Sequence, residues 1–535
     1  MNAKESVKLY KYLVMAETTA ANTQVLKFDP ENLRLNKRHT KILGTLNKKT
    51  TNSMLNDYIV AGMDGIRVFC DDGYETCKRL IDTAREAAVA QSRRIVVSIE
   101  LRQQRKMFVG PIENDQVMQV KIGDQLQITS KDHIIGKKGI ISVKNCTDFP
   151  QSLMKRLVFF DMGSICAFIK SVEKDCIHCE IQNEGHIYEN SQVSFSGENS
   201  GMGVGEGGVS GDDNIKEESD SQLSKDIAFC VQNDVDYIIH SVYEGRQEII
   251  DMKKIIQEET ERAVGKPALS GQGEVKIIAK LENEEAIKDI EEILNVADAI
   301  LIPRGVLGTV LPIEKISWIQ KSVIKFCNHA AKPCILASQF LDSMVNNPFP
   351  LRAEVTDIHS AVMDGADCLL LNSETTIGRY PLEALKTMHD VCVSAEQHFN
   401  YQEFFLEMLT TAKKPMLKVE AVANSCVKSA FNLQSPVIIS VTDIGRVSRM
   451  ISKYKPYSQV IVISTSARLA NQSCLSRSLN GLCVNDISNV NMMIIDVLNI
   501  LREQGDVVEN DDIVFVSGVM DAQIKSQFQM KLIQV

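Results

Sequence analysis

The chain has no uninterrupted apolar run of about 18 residues, the length that reads as a membrane-spanning helix, so a protein that does not cross a membrane is expected. The amino terminus, MNAKESVKLYKYLV, has neither the apolar core nor the small-residue cleavage site of a secretory leader, which points to the cytoplasm. Positive charge is not in excess either: 69 acidic against 59 basic residues leave a net charge of −10. No global field therefore exists to draw in nucleic acid or anionic lipid. A second close cysteine pair is also missing. Cys176 and Cys179 have the spacing of half a metal site, but nothing downstream supplies the other half. Cys166, Cys230, Cys327, Cys334 and Cys368 lie in or beside apolar stretches, where reduced thiols behave as small hydrophobes. What is present is an ordinary globular composition, 44% hydrophobic and 24% charged, over 535 residues, too many for one core.

Residues 1–36 carry no strong periodicity and read as an amino-terminal arm. From Thr40 the pattern turns to alternating strands and helices: TKILGTL, GIRVF (65–69) and IVVSI (95–99) are strand-like, separated by helical stretches over 50–60 and 74–90. Between 110 and 187 come short, irregularly spaced strands with little helical pattern, an all-β insert. The segment 194–222 is rich in Gly, Ser and acids and nearly free of large apolar groups, and reads as a mobile linker. The alternation then resumes with DYIIHS (236–241), KIIAKL (276–281), AILIP (299–303), PCILAS (333–338) and DCLLLN (367–372). Strands apolar along their whole length imply burial on both faces, as in a parallel sheet covered by helices. With the first three they make eight, enough to close a (β/α)8 TIM barrel. A further βα rhythm from 400 onward reads as a separate open α/β domain. The expected divisions are thus 1–36, barrel 37–109, insert and linker 110–221, barrel 222–399, and carboxyl-terminal domain 400–535.

In such a barrel the chemistry sits at the carboxyl ends of the strands. Those positions are polar here. KIIAKL runs into Lys280, Glu282 and Asn283, AILIP into Arg304-Gly305, PCILAS into Ser338-Gln339, and DCLLLN into Ser373-Glu374-Thr375. A lysine, a carboxylate, a hydroxyl and a glycine turn on one rim suit phosphoryl transfer. Taken singly, Lys280 and Glu282 also read as a rim ion pair, Arg304-Gly305 as a plain turn, and Ser338 as a helix cap.

The residues carry a resemblance. IIAKLENEEAIKDIEEIL, LIPRGVLGTVLPIEKI, ASQFLDSMVNNPFPLRAEVTDIHSAVMDGADCLLLNSETTIGRYPLEA and RHTKILGTL with GIRVF together resemble the signature blocks of the pyruvate kinase family. The resemblance implies a TIM barrel with an inserted small β-barrel and a carboxyl-terminal α/β domain. It implies transfer of a phosphoryl group between phosphoenolpyruvate and ADP, giving pyruvate and ATP, with Mg2+ (or Mn2+) and K+ as cofactors, in a homo- or hetero-oligomer of such chains. Carried over residue by residue, Lys280 would stabilise the phosphoryl group and the enolate, Arg67 would contact the phosphate, and Ser338 would stand for the threonine near the donated proton. Glu282 would hold the divalent metal, and the backbone at Arg304-Gly305 would touch the substrate carboxylate.

The departures from the family pattern are as specific. The second metal carboxylate, the Asp of ARGDLG, is Val306 here. The monovalent-cation ligands map to Phe69, Asp71, Glu100 and Leu101, so two oxygen donors have become hydrocarbon, and Arg105 falls where a glutamate is usual. The GPAS turn is NKKT. Of the sugar-phosphate loop Thr442, Gly445, Arg446 and Ser448 remain, but the later glycine-rich loop is SGVMDAQIKSQF. These changes imply weakened catalysis, or a catalytically inactive relative that serves as an oligomer partner or ligand-binding regulator.

Overall fold

Each apolar run named above becomes a strand in the computed structural model. It describes residues 37–535 apart from 103–105, 114–116, 132–133, 147, 190, 197–212, 244, 265–273, 488 and 520–526, so the expected arm and Arg105 lie outside the described residues. The strands Lys41–Thr45, Gly65–Phe69, Val96–Glu100, Tyr237–Val242, Lys276–Leu281, Ala299–Pro303, Cys334–Ala337 and Cys368–Leu371 pair in that order, all parallel. Pairing of Lys41 with Cys368 and Leu43 with Leu370 closes the ring. Apolar residues from successive strands fill its interior, among them Leu43, Val96, Ile278, Leu301, Ile335 and Leu370, while the opposite faces of the strands pack against the surrounding helices.

Between the third and fourth of these strands lies a second closed barrel of seven short strands, with its own apolar core. Its strand Met107–Val109 starts ahead of the expected boundary at 110, because those three residues pair with Ile140–Lys144 and Gln192–Phe195 rather than with the large barrel. Of the linker expected over 194–222, residues 197–212 lie outside the described residues, and the two ends differ from it. Ser194 and Phe195 belong to a strand, and Asp213–Gln232 is a helix. The acidic, Ser-rich start of that helix resembles a linker in composition, but the same helix goes on to bury Ile227, Cys230 and Val231 against the barrel.

The carboxyl-terminal unit is a five-stranded sheet in the order Leu479–Cys483, Gln459–Ser464, Val437–Thr442, Asp512–Val519, Gln527–Gln534. The first four strands are parallel and the last is antiparallel. That last strand, QFQMKLIQ, alternates polar and apolar residues, with Phe528 and Met530 packed against one side of the sheet, and was not among the strands expected. Cys474 and Leu475 of this unit enter the apolar layer inside the large barrel. The Gln472 amide donates to the carbonyls of Asp236 (3.0 Å) and Glu274 (2.8 Å) at the amino ends of two barrel strands. The opposite, carboxyl-terminal rim faces the small barrel.

Candidate active site

Parallel strands deliver their carboxyl ends to a single rim, and residues two apart on a strand share a face. Lys280 and Glu282 therefore emerge together, beside Glu100 and Arg67 from the strands before them. Lys280 Nζ donates to Glu100 Oε1 at 2.7 Å and lies 2.9 Å from Glu282 Oε1. Arg67 holds the other Glu100 oxygen at 3.2 Å, and its remaining nitrogens donate to Thr45 Oγ1 (3.1 Å) and Asn372 Oδ1 (2.6 Å). A further cation, absent from the sequence expectations, completes the group. Lys106 Nζ donates to Glu282 Oε1 at 2.5 Å, and the Tyr243 hydroxyl donates to Oε2 at 3.3 Å.

These side chains are buried, Glu282 completely and Lys106 to within 4%. Burial opposes every charge in the group, so mutual attraction has to hold them. Against that burial, Lys106 and Lys280 keep the Glu282 carboxyl well below the usual carboxylate range. Glu100 is likewise lowered, with Lys280 and Arg67 outweighing desolvation. For Lys280 the two glutamates prevail and raise it. Lys106 differs: desolvation, opposed by Glu282, brings its ammonium down to about 8. Three cations on two carboxylates leave this cluster positive by one charge.

The cluster borders a cleft of about 650 Å³ whose walls include Arg67, Glu100, Lys106, Lys280, Val306 and Ser338. Asp71 also lines it, raised to about 6 chiefly by burial. Phe69 lies beneath the Arg67 guanidinium, 4.7 Å from carbon to ring centre. Leu101 is buried in the core. Ser338 does not cap a helix. With Gln339 it takes the left-handed backbone region, φ 75° and 59°, a conformation that costs roughly 1–3 kcal/mol per residue outside glycine.

Arg304 holds that turn. Its Nε and Nη2 donate to the Ser338 carbonyl at 3.2 and 2.7 Å, Nη1 donates to Asp357 at 2.7 Å, and the guanidinium stacks 3.9 Å over Phe340. The Arg304 side chain is thus a buttress of Ser338 rather than a wall of the cleft. Arg304 and Gly305 open the helix Arg304–Val310, so the plain-turn alternative does not hold.

In the carboxyl-terminal unit, Thr442 Oγ1 accepts from the Gly445 amide at 3.0 Å, and Ser448 Oγ lies 2.9 Å from Ser440 Oγ. Gly445 needs its positive φ of 70° at the mouth of the helix Arg446–Lys453. Of these four loop residues only Arg446 is exposed.

Comparison with known proteins gives this geometry a family. Residues 37–385 match the model of the pyruvate kinase barrel domain and residues 420–531 that of the pyruvate kinase alpha/beta domain. The chain belongs to the pyruvate kinase family. It is 30% identical to the pyruvate kinase of Candida albicans over 90% of this chain and 92% of that one. To the pyruvate kinase of Staphylococcus epidermidis it is 28% identical over 92% of this chain and 80% of the relative. Among solved structures, the Cryptosporidium parvum pyruvate kinase in complex with ADP superposes with a TM-score of 0.82 at 26% identity, covering 98% of this chain and 99% of that one.

Of the residues that the pyruvate kinase resemblance singles out, the fold brings Arg67, Lys280, Glu282, Glu100 and Ser338 to one rim. Lys106, Tyr243, Asn372 and Asp357 were missed. A signal existed for Lys106: Arg102, Arg105 and Lys106 form a basic run just after a rim glutamate. Arg102 and Lys106 both line the cleft, and which of them reaches Glu282 is not written locally.

Proposed function

We propose that this cleft binds a small phosphorylated carboxylate and ADP, and that the chain is a pyruvate kinase-like phosphotransferase, phosphoenolpyruvate to ADP, with a weakened transfer step. The observation that carries this reading is the Lys106 ammonium on Glu282.

A divalent cation such as Mg2+ or Mn2+ does not fit the donors present. Such ions want several oxygen ligands. Glu282 already accepts from two ammonium groups, and the partner position is the buried hydrocarbon of Val306. The positions mapped to a potassium ion fit it poorly, since Glu100 is bound by Lys280 and Arg67 and the side chains of Phe69 and Leu101 carry no oxygen, which leaves the Asp71 carboxylate on the cleft as the remaining side-chain donor of the four. The electrostatic work then falls to the protein's own cations. Arg67 and Lys280 are placed to hold the phosphoryl oxygens, Lys280 and Lys106 to oppose negative charge growing on the enolate, and the Ser338 hydroxyl to pass a proton. Each ammonium is a single charge already shared with a carboxylate. It therefore stabilises a transferring phosphoryl group less than a coordinated dication does.

A coupled assay of pyruvate formation tests this. The wild-type chain should turn over slowly and almost independently of Mg2+. The Val306→Asp/Lys106→Ala variant, which restores a carboxylate and removes the competing ammonium, should gain Mg2+-dependent turnover of about tenfold or more, some 1.4 kcal/mol in the barrier. Fast Mg2+-dependent turnover by the wild type would refute the reading. The same ion pair favours the alternative of a catalytically inactive relative acting as an oligomer partner or regulator. That alternative requires no turnover in either chain while phosphoenolpyruvate still raises thermal stability.

A further inference from the structure

The cysteine pair at 176 and 179 divides when its strand is built. Successive side chains of a strand point to opposite faces, so Cys179 joins Ile177 in the core of the small barrel, while Cys176 shares the other face with His178. The hairpin preceding the strand then brings in Glu173. Cys176 Sγ lies 3.5 Å from Glu173 Oε2 and 3.8 Å from His178 Nε2, and His178 Nε2 lies 3.6 Å from Glu173 Oε1. Tetrahedral zinc, with bonds of about 2.3 Å to sulfur and 2.0–2.2 Å to nitrogen and oxygen, sets neighbouring donors roughly 3.3–3.6 Å apart. Glu173 faces the sulfur with Oε2 and the imidazole with Oε1, and one donor atom from each residue lies within 4.8 Å of the others, so a rotation of the exposed carboxylate is what brings the trio to those separations.

The scaffold beneath is firm. Cys176 pairs with Thr129 and His178 with Gln127 on the neighbouring strand. The turn is closed by the Glu173 amide on the Cys176 carbonyl at 2.8 Å and the Ser130 amide on the Asp175 carbonyl at 3.0 Å. On its other edge the strand shifts register between His178 and Cys179, a local irregularity of the kind that re-aims side chains beside functional sites.

We propose that Glu173, Cys176 and His178 form a site for a borderline-soft divalent cation, zinc in the first instance, on the outer face of the small barrel. One thiol, one imidazole and one carboxylate make a donor set that zinc accepts and that magnesium or calcium does not favour. The side chains of Glu173 and His178 are 67% and 43% exposed, so solvent has access and a water completes the fourth position. Zinc takes the thiolate, and a cysteine thiol is largely protonated at neutral pH, so binding breaks the S–H bond, forms a sulfur–metal bond, and releases the proton to solvent. This site is separate from the barrel cleft and does not depend on the function proposed for it.

Cobalt(II) added to the full-length chain tests the proposal. One equivalent should bind, with tetrahedral d–d bands and thiolate-to-cobalt charge-transfer absorption, and zinc should displace it with release of the signal. Zinc titrated into the apo protein in weak buffer should liberate a proton. Cys176→Ser and His178→Ala should abolish the charge-transfer signal, and Glu173→Gln, on an exposed turn that the fold does not need, should weaken binding about tenfold or more. Cys483→Ser, a half-buried thiol elsewhere, should leave it intact. Failure of the wild type to take up cobalt or zinc, or uptake that survives Cys176→Ser unchanged, would overturn the assignment.

Discussion

The Lys106 ammonium sits 2.5 Å from Glu282 Oε1, across 176 residues of sequence, with Lys280 approaching the same oxygen at 2.9 Å. A carboxylate that the family resemblance assigns to a metal is here held by side chains of the protein, Lys106, Lys280 and Tyr243 among them.

This arrangement sets the stability of the rim. Glu282→Ala would leave two buried ammonium groups facing each other and should cost about 3–5 kcal/mol. Lys106→Met leaves Glu282 with Lys280 and Tyr243 and should cost clearly less. Urea unfolding of the two variants gives the order, and an equal cost would contradict it.

Ligand affinity should follow the Lys106 charge. Its ammonium loses a proton near pH 8, whereas in the unfolded chain a lysine keeps it to about 10.4. Between those values the unfolded chain binds more protons, so this group's contribution to folding stability rises with pH. Affinity for phosphoenolpyruvate should fall over the same window. Calorimetric titrations from pH 6.5 to 9 in EDTA, beside thermal melts, check both directions, and Lys106→Met should flatten the affinity profile.

Ser338 depends on the planar fork of Arg304. Lysine cannot donate twice to the Ser338 carbonyl while holding Asp357. Arg304→Lys should therefore lose about 1–3 kcal/mol of stability and weaken phosphoenolpyruvate binding, although its side chain does not line the cleft. Chemical denaturation and the same calorimetry read the two effects.

The barrel and the carboxyl-terminal unit are joined by a buried pair, Lys455 Nζ to Asp367 Oδ1 at 2.7 Å, where Asp367 also accepts from the Arg477 amide at 3.0 Å. Asp367→Ala strands the Lys455 charge and should cost about 3–5 kcal/mol, while Asp367→Ala/Lys455→Met should recover part of it. Urea midpoints of the single and double variants decide this.

What local sequence determined was the repeating architecture and the side-chain chemistry available at each position. Eight apolar runs separated by helical spacing specify strands buried on both faces, and only a closed or helix-covered parallel sheet satisfies that burial. Val306, Phe69 and Leu101 could be read against the family resemblance, because whether a side chain carries an oxygen is a property of that side chain itself. The helix beginning at Asp213 was not legible, since its first residues have the composition of a loop, whereas the edge strand Gln527–Gln534 does alternate polar and apolar residues and went unread.

Tertiary structure alone decided the partners of the rim charges and the orientation of the strand residues around the hairpin at 174. Arg102, Arg105 and Lys106 are similar in charge, and nothing adjacent in sequence sends Lys106 to Glu282. Likewise the spacing of Cys176 and Cys179 suggests a pair, but a strand's alternation separates them and gives Cys176 to Glu173 and His178 instead. Apolar periodicity is a short-range property that each segment carries by itself. The pairing of buried charges is long-range, because it exists only once strands far apart in sequence share one rim in a medium too apolar to leave any charge alone.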